Sequence, residues 1–171
     1  MVQIGNFHFG RADTAKDPSI GVADAFFLWD QLVSRYDIIE QTQIWQNFAH
    51  DPDLKLLLEK GLGNVLEKQI NELEHQMNLF KLPLPHRPPK SARIEVNSEL
   101  LEDRFMFKMV FTGMQLFLDM HARTIRSVVH NDTLRSMFIK FAMDELEIFD
   151  RICKFGKLKG WLNIAPLKYN I

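Results

Sequence analysis

Three ionisable residues stand where apolar ones are expected: Glu40, His121 and Glu145. Placed at roughly 100° per residue on a helical wheel, each falls near the middle of an otherwise apolar stripe. An unpaired buried carboxylate is strongly unfavourable, so each should find a partner. Two chemistries follow. In one, His121 bridges the two glutamates by hydrogen bonds and no metal takes part. In the other, the same carboxylates and imidazole converge from facing helices. That is the donor set with which helical bundles hold a transition metal such as iron or zinc. A bound metal would need further ligands, with Gln43 or water as fillers. The residue types and spacing leave both readings open.

The full two-metal pattern needs Glu-x-x-His on two helices and single glutamates on the other two. Glu72-Leu73-Glu74-His75 is one literal match. The last helix has Asp144-Glu145-Leu146-Glu147-Ile148 instead, with no histidine three residues after an acid. Glu72 lies at the edge of its apolar stripe and His75 further towards solvent, so that pattern is not expected. Other chemistries lack their residues. Cys153 sits near a helix end without a neighbouring histidine, and no serine occupies a nucleophile elbow. Gly61-Leu62-Gly63 lies inside a helical pattern rather than in a phosphate-cradling loop.

Four helical stretches must position these groups. The first runs from near Ile20 to about His50, with apolar residues Val22, Ala25, Phe26, Trp29, Leu32, Val33, Tyr36 and Ile39 at spacings of three and four. Its stripe continues into Glu40, Gln43 and Asn47, which is the anomaly. Asp51-Pro52-Asp53 ends it and starts the second, by capping, by proline at the first helical position and by charge at the helix dipole. The second carries Leu54 to Phe80 and is loosened at Gly61 and Gly63. The third is capped by Asn97 or Ser98 and buries Phe107 to Val128. After His130-Asn131-Asp132 the fourth buries Leu134 to Ile152 and ends near Gly156.

Between the second and third helices, residues 82–97 hold four of the seven prolines. No helix crosses such a segment. If the helices alternate up and down, Glu40, His121 and Glu145 come within ~6 Å of one level. If the segment instead runs the length of the helices, Glu72 joins His121 and Glu145, and Glu40 is left alone. The inward position of Glu40 favours the first. The expected fold is all-α, an antiparallel four-helix bundle, up-and-down rather than of the ferritin crossover type. It forms a single domain over 1–171, with irregular arms at 1–19 and 157–171.

Composition narrows the function classes. A net charge of −1 gives no basic field for nucleic acid. Apolar runs fall far short of the ~18 residues of a membrane span, and the N-terminus lacks a secretory pattern. The single cysteine excludes an internal disulfide and fits a reducing, cytoplasmic setting. Fourteen phenylalanines and eight methionines against two tyrosines suit a thick, irregularly filled helical core.

Phe27-Leu28-Trp29, Asp51-Pro52-Asp53-Leu54-Lys55, Leu82-Pro83-Leu84-Pro85 and Lys157-Leu158-Lys159-Gly160-Trp161-Leu162 with Pro166 resemble a family from spore-forming bacteria labelled spore coat proteins of the CotF type. The resemblance spans nearly the whole chain and implies a ferritin-like four-helix bundle, in some relatives a metalloprotein. It assigns no ligand role to Glu40, His121 or Glu145. The expected function is that of a spore-coat-like structural or interaction protein, more a non-enzyme than an enzyme, associated with spores and partnered by itself or by coat proteins. The alternative is a ferritin-like metal-dependent oxidoreductase acting on oxygen or peroxide.

Overall fold

The structure, a computed structural model, describes residues 2–4, 7–9, 20–89 and 101–165. Its body is all-helical: α1 (Val22–Phe48), α2 (Pro52–Leu56), α3 (Asn64–Leu79), α4 (Asp103–Ser127) and α5 (Asp132–Lys159). A π-helical segment, Leu57–Gly63, joins α2 to α3 without a turn. The N-terminal arm, expected to be irregular, carries a short antiparallel pair, β1 (Val2–Ile4) with β2 (Phe7–Phe9). Residues 1, 5–6 and 10–19 of that arm, 90–97 of the proline segment with the following 98–100, and 166–171 of the tail lie outside the described residues.

Local chemistry sets the helix ends. Asp24 reaches back to the backbone N–H of Gly21, at 3.3 Å, to start α1. Asp51 Oδ1 accepts from the N–H groups of Asp53 and Leu54 at 2.9 and 3.1 Å, and Pro52 follows at the first helical position, as expected. The glycine-loosened stretch is the π segment, where the Asn64 N–H bonds the Glu59 carbonyl, five residues back. Asn131 caps α5 through Leu134 N–H at 3.0 Å. Two boundaries differ from expectation. The expected caps Asn97 and Ser98 lie outside the described residues, and α4 begins at Asp103 after an extended Glu102. Helix α5 continues through Gly156 to Lys159 and ends at Gly160, which takes the left-handed conformation (φ 67°).

The core is aliphatic and aromatic. Leu28 and Leu32 of α1, Ile70, Leu73 and Met77 of α3, Met106 of α4, and Phe138 and Ile152 of α5 have no exposed surface. The buried face of α1 is turned from the expected one. Phe27, Leu28, Gln31, Leu32, Arg35, Tyr36, Ile39 and Thr42 point inward, while Val22, Phe26 and Trp29 are exposed. Helix α1 is apolar on more than one side, so periodicity alone does not select the face. Burial of the Leu28, Leu32 and Ile39 ridge decides it.

Helix α4 does not start at the far end of the helices, where the favoured route would put it, and this corrects that route. Carboxylate oxygens of Asp103, at the start of α4, accept from the backbone N–H groups of His50 and Asp51 at 2.8 and 2.9 Å. Lys159, at the end of α5, donates to Asp51 and Asp53 at 2.7 and 2.8 Å. The start of α4 and the end of α5 therefore sit at the α1–α2 turn, whereas α3 runs away from that turn. Arg87 marks the way back: it pairs with Glu67 at 3.0 Å and approaches Glu74 at 3.6 Å, having returned along α3 by about three turns.

Candidate functional site

The polar centre of the core is built around Arg35, which has no exposed surface. Its Nε donates to Gln69 Oε1 at 2.8 Å, and its Nη1 donates to Gln31 O at 3.1 Å and to Gln31 Oε1 at 2.5 Å. Its Nη2 stands 3.4 Å from His121 Nε2. Gln31 in turn donates to Thr124 Oγ1 at 2.7 Å, and Thr124 donates to the Met120 carbonyl at 2.9 Å. The guanidinium lies over Phe141 and Phe117, 5.1 and 5.5 Å from the ring centroids, where cation–π attraction adds to the hydrogen bonds. Arginine suits this place because its planar fork serves several acceptors at once.

Glu145 of α5 completes the centre, with Oε2 4.0 Å from His121 Nε2. That separation is too long for a hydrogen bond. With Arg35 presenting N–H to Nε2, His121 is the neutral tautomer carrying its proton on Nδ1. That Nδ1 and the Gln69 Nε2 are buried donors without an acceptor among the described residues, each costing about 1–3 kcal/mol. The charges respond to the setting. Burial, then the Arg35 charge, pushes the imidazole down to about 3. Burial pushes the Glu145 carboxyl up to about 7, opposed by Arg35 and assisted by Asp144. Burial lowers Arg35 to about 10 against the pull of Glu145, so it stays charged at neutral pH.

Of the three residues singled out in the sequence, two meet. His121 and Glu145 face each other, and Glu40 stands half-buried on α1 outside their hydrogen-bond and ion-pair network. Among the described residues no three His, Cys, Asp or Glu side chains gather in a group able to hold a metal ion. The third member of the centre is a cation. A metal ion between His121 and Glu145 would lie against a guanidinium that already holds the His121 nitrogen, so the donor set here does not fit one. Glu72 is exposed and accepts from Gln76 at 3.2 Å, and His75 is exposed. Gln43, named as a filler, keeps a buried Oε1 without a partner among the described residues.

The residues that complete the centre are Gln31, Arg35, Gln69 and Thr124. A signal for them exists. Gln69 lies on the apolar stripe of its helix one turn before Glu72, and Gln31 and Arg35 are spaced by four along the Leu28, Leu32 and Ile39 ridge. Tyr36, next to Arg35, donates to Glu74 at 2.6 Å, and burial first, then that bond, raises its pKa.

No helix among the described residues is long and apolar enough to cross a membrane. No curated protein matches the chain. Among solved structures it is similar to a protein of Bacillus halodurans C-125 described as a "putative spore coat protein". The TM-score is 0.79 at 21% identity, over 88% of this chain and 96% of that one, a likeness that shows the fold. The family model described as "Protein of unknown function (DUF3231)" matches residues 14–170, and the chain belongs to that family.

Proposed function

We propose that this protein is a structural, interaction-forming component associated with the spore coat. In this reading the body is a single antiparallel four-helix bundle with a lengthwise, ferritin-type connection, and the Arg35 centre is packing chemistry rather than a catalyst. The observation that carries the reading is a stripe on α5. Ile139, Met143 and Leu146, spaced four and three, are 45, 57 and 48% exposed. One helix face presenting three large apolar groups to solvent is the arrangement by which helices associate with partner helices. The coat name of the similar solved structure supports the same direction.

The test is fractionation of sporulating cells carrying a tagged copy. The tagged parent is expected in the coat extract. The triple variant Ile139→Lys, Met143→Lys, Leu146→Lys is expected to fold, by circular dichroism, yet to leave that fraction. A parent found only outside the spore, or a triple variant retained in the coat, overturns the proposal. Elemental analysis after purification without chelator separates the packing reading from the metal reading of Glu40, His121 and Glu145. Packing predicts no stoichiometric iron or zinc. A metal lost on His121→Ala or Glu145→Ala would restore the metal site.

A further inference from the structure

A cavity of about 270 Å³ opens between α1, the π segment, α3, α4 and α5. An enclosed apolar space of ~150 Å³ already takes a benzene molecule. Its deeper wall includes the buried Leu62, Leu66, Met114 and Phe117, and its mouth the exposed Gln41 and Leu116. Among the described residues Glu145 is the one ionisable group of the lining. It is 4% exposed, and its carboxyl makes no hydrogen bond among the described residues. A carboxyl so placed, in a wall otherwise of hydrocarbon, aromatic rings and neutral polar groups, asks for a hydrogen-bond donor or a cation.

Gly113 points the same way. It lies in the middle of α4, where glycine costs about 1 kcal/mol relative to alanine. Packing does not require it: a Cβ added there would meet nothing within 4 Å. What its missing side chain leaves open is the cavity it lines. The π segment adds a third sign. It places Leu62 in the wall, and irregular turns of this kind recur at binding sites.

We propose that this cavity binds a small apolar molecule carrying one amine, with its hydrocarbon body against Leu62, Leu66 and Phe117 and its ammonium on the Glu145 carboxylate. Charge selects the class. Among the described residues the only charge in the lining is acidic, and the nearby Arg35 is engaged by Gln31, Gln69 and His121. Trp45 adds an aromatic ring to the same lining, and aromatic rings attract ammonium groups. A carboxylate ligand would meet Glu145 with like charge. An alcohol would fill the space without the ionic contact. The site does not depend on the coat assignment.

The full chain is titrated with n-hexylamine, n-hexanol and hexanoate at pH 8, where most of the Glu145 carboxyl is ionised. Calorimetry and tryptophan emission follow binding. Hexylamine is expected to bind at least about tenfold tighter than hexanol, and hexanoate more weakly than both. Glu145→Gln is expected to erase the preference for the amine over the alcohol. Gly113→Leu, which fills the cavity from an unobstructed position on the helix, is expected to abolish binding of both while keeping a melting temperature at or above that of the parent. No binding, equal binding of amine and alcohol, or binding that survives Gly113→Leu overturns the proposal.

Discussion

His121 and Glu145 carry opposite pH dependences, because burial favours the neutral form of each. The imidazole falls from 6.5 to about 3, so between those values the unfolded chain binds the extra proton and stability rises with pH. The carboxyl rises from 4.5 to about 7, so between those values the folded chain binds the extra proton and stability falls with pH. From 4.5 to 6.5 the two cancel, and the pair contributes a plateau with losses below and above it. The groups facing them are Arg35 from α1 and Asp144 from α5; the α3 contribution, Gln69, is uncharged. Single variants should separate the two slopes. Over pH 4.5–6.5, His121→Asn should lose stability as pH rises and Glu145→Gln should gain it, each by up to ~1.4 kcal/mol per pH unit in urea unfolding. Slopes of the same sign would mean that the two groups are not buried neutral together. The two were visible in the sequence because each breaks an apolar stripe. Arg35 was not, since arginine is so rarely fully buried that it reads as a surface residue. The bulky Phe26 and Trp29 drew the stripe of α1 to the wrong side.

The Asp51-Pro52 cap was legible, because it acts through bonds to residues two and three positions away. What a glycine does depends on a neighbour remote in sequence, and this is where the reading of α5 failed. Gly156 resembles a helix end among lysines, yet it is buried inside the helix. The Phe107 ring lies against it, and an added Cβ would come within 2.8 Å of Leu162 Cγ and closer still to Phe107 Cζ. Phe107 there also packs at a tilt against Phe155 and Trp161, at centroid distances of 5.8 and 5.7 Å. Gly156→Ala forces either the ring or the tail to move. It should lower stability by about 1–3 kcal/mol in denaturant unfolding, although alanine is the better helix former. Gly113→Ala, with open space at its Cβ, should raise stability by up to ~1 kcal/mol. If the two substitutions act alike, propensity rather than the Phe107 contact governs both positions.

The path between α3 and α4 was the least legible feature, since 16 residues can span ~50 Å in a polyproline conformation and so fit either route. The choice rests on polar contacts between residues far apart in sequence: Asp103 with the 50–51 backbone, Arg87 with Glu67, and Lys159 with Asp51 and Asp53. No local pattern encodes them. The ion pairs among them lie near the surface, where such pairs add little, so they report the topology more than they stabilise it. The topology in turn decides the site: with α4 starting at the α1–α2 turn, His121 rises to the level of Arg35 and Gln69 instead of that of Glu40. The Lys159 amine gives a direct test. A carbodiimide that joins amines to adjacent carboxylates should link Lys159 to Asp51 or Asp53, read as a cross-linked peptide by mass spectrometry. The Lys154–Asp150 pair, 2.5 Å apart within α5, serves as the internal control. In an up-and-down arrangement α5 starts at the α1–α2 turn and ends a helix length away, so the Lys159 amine would be ~40 Å from Asp51 and no link could form. A control link without the Lys159 link would therefore reinstate that arrangement, and with it the pairing of Glu40 with His121 and Glu145.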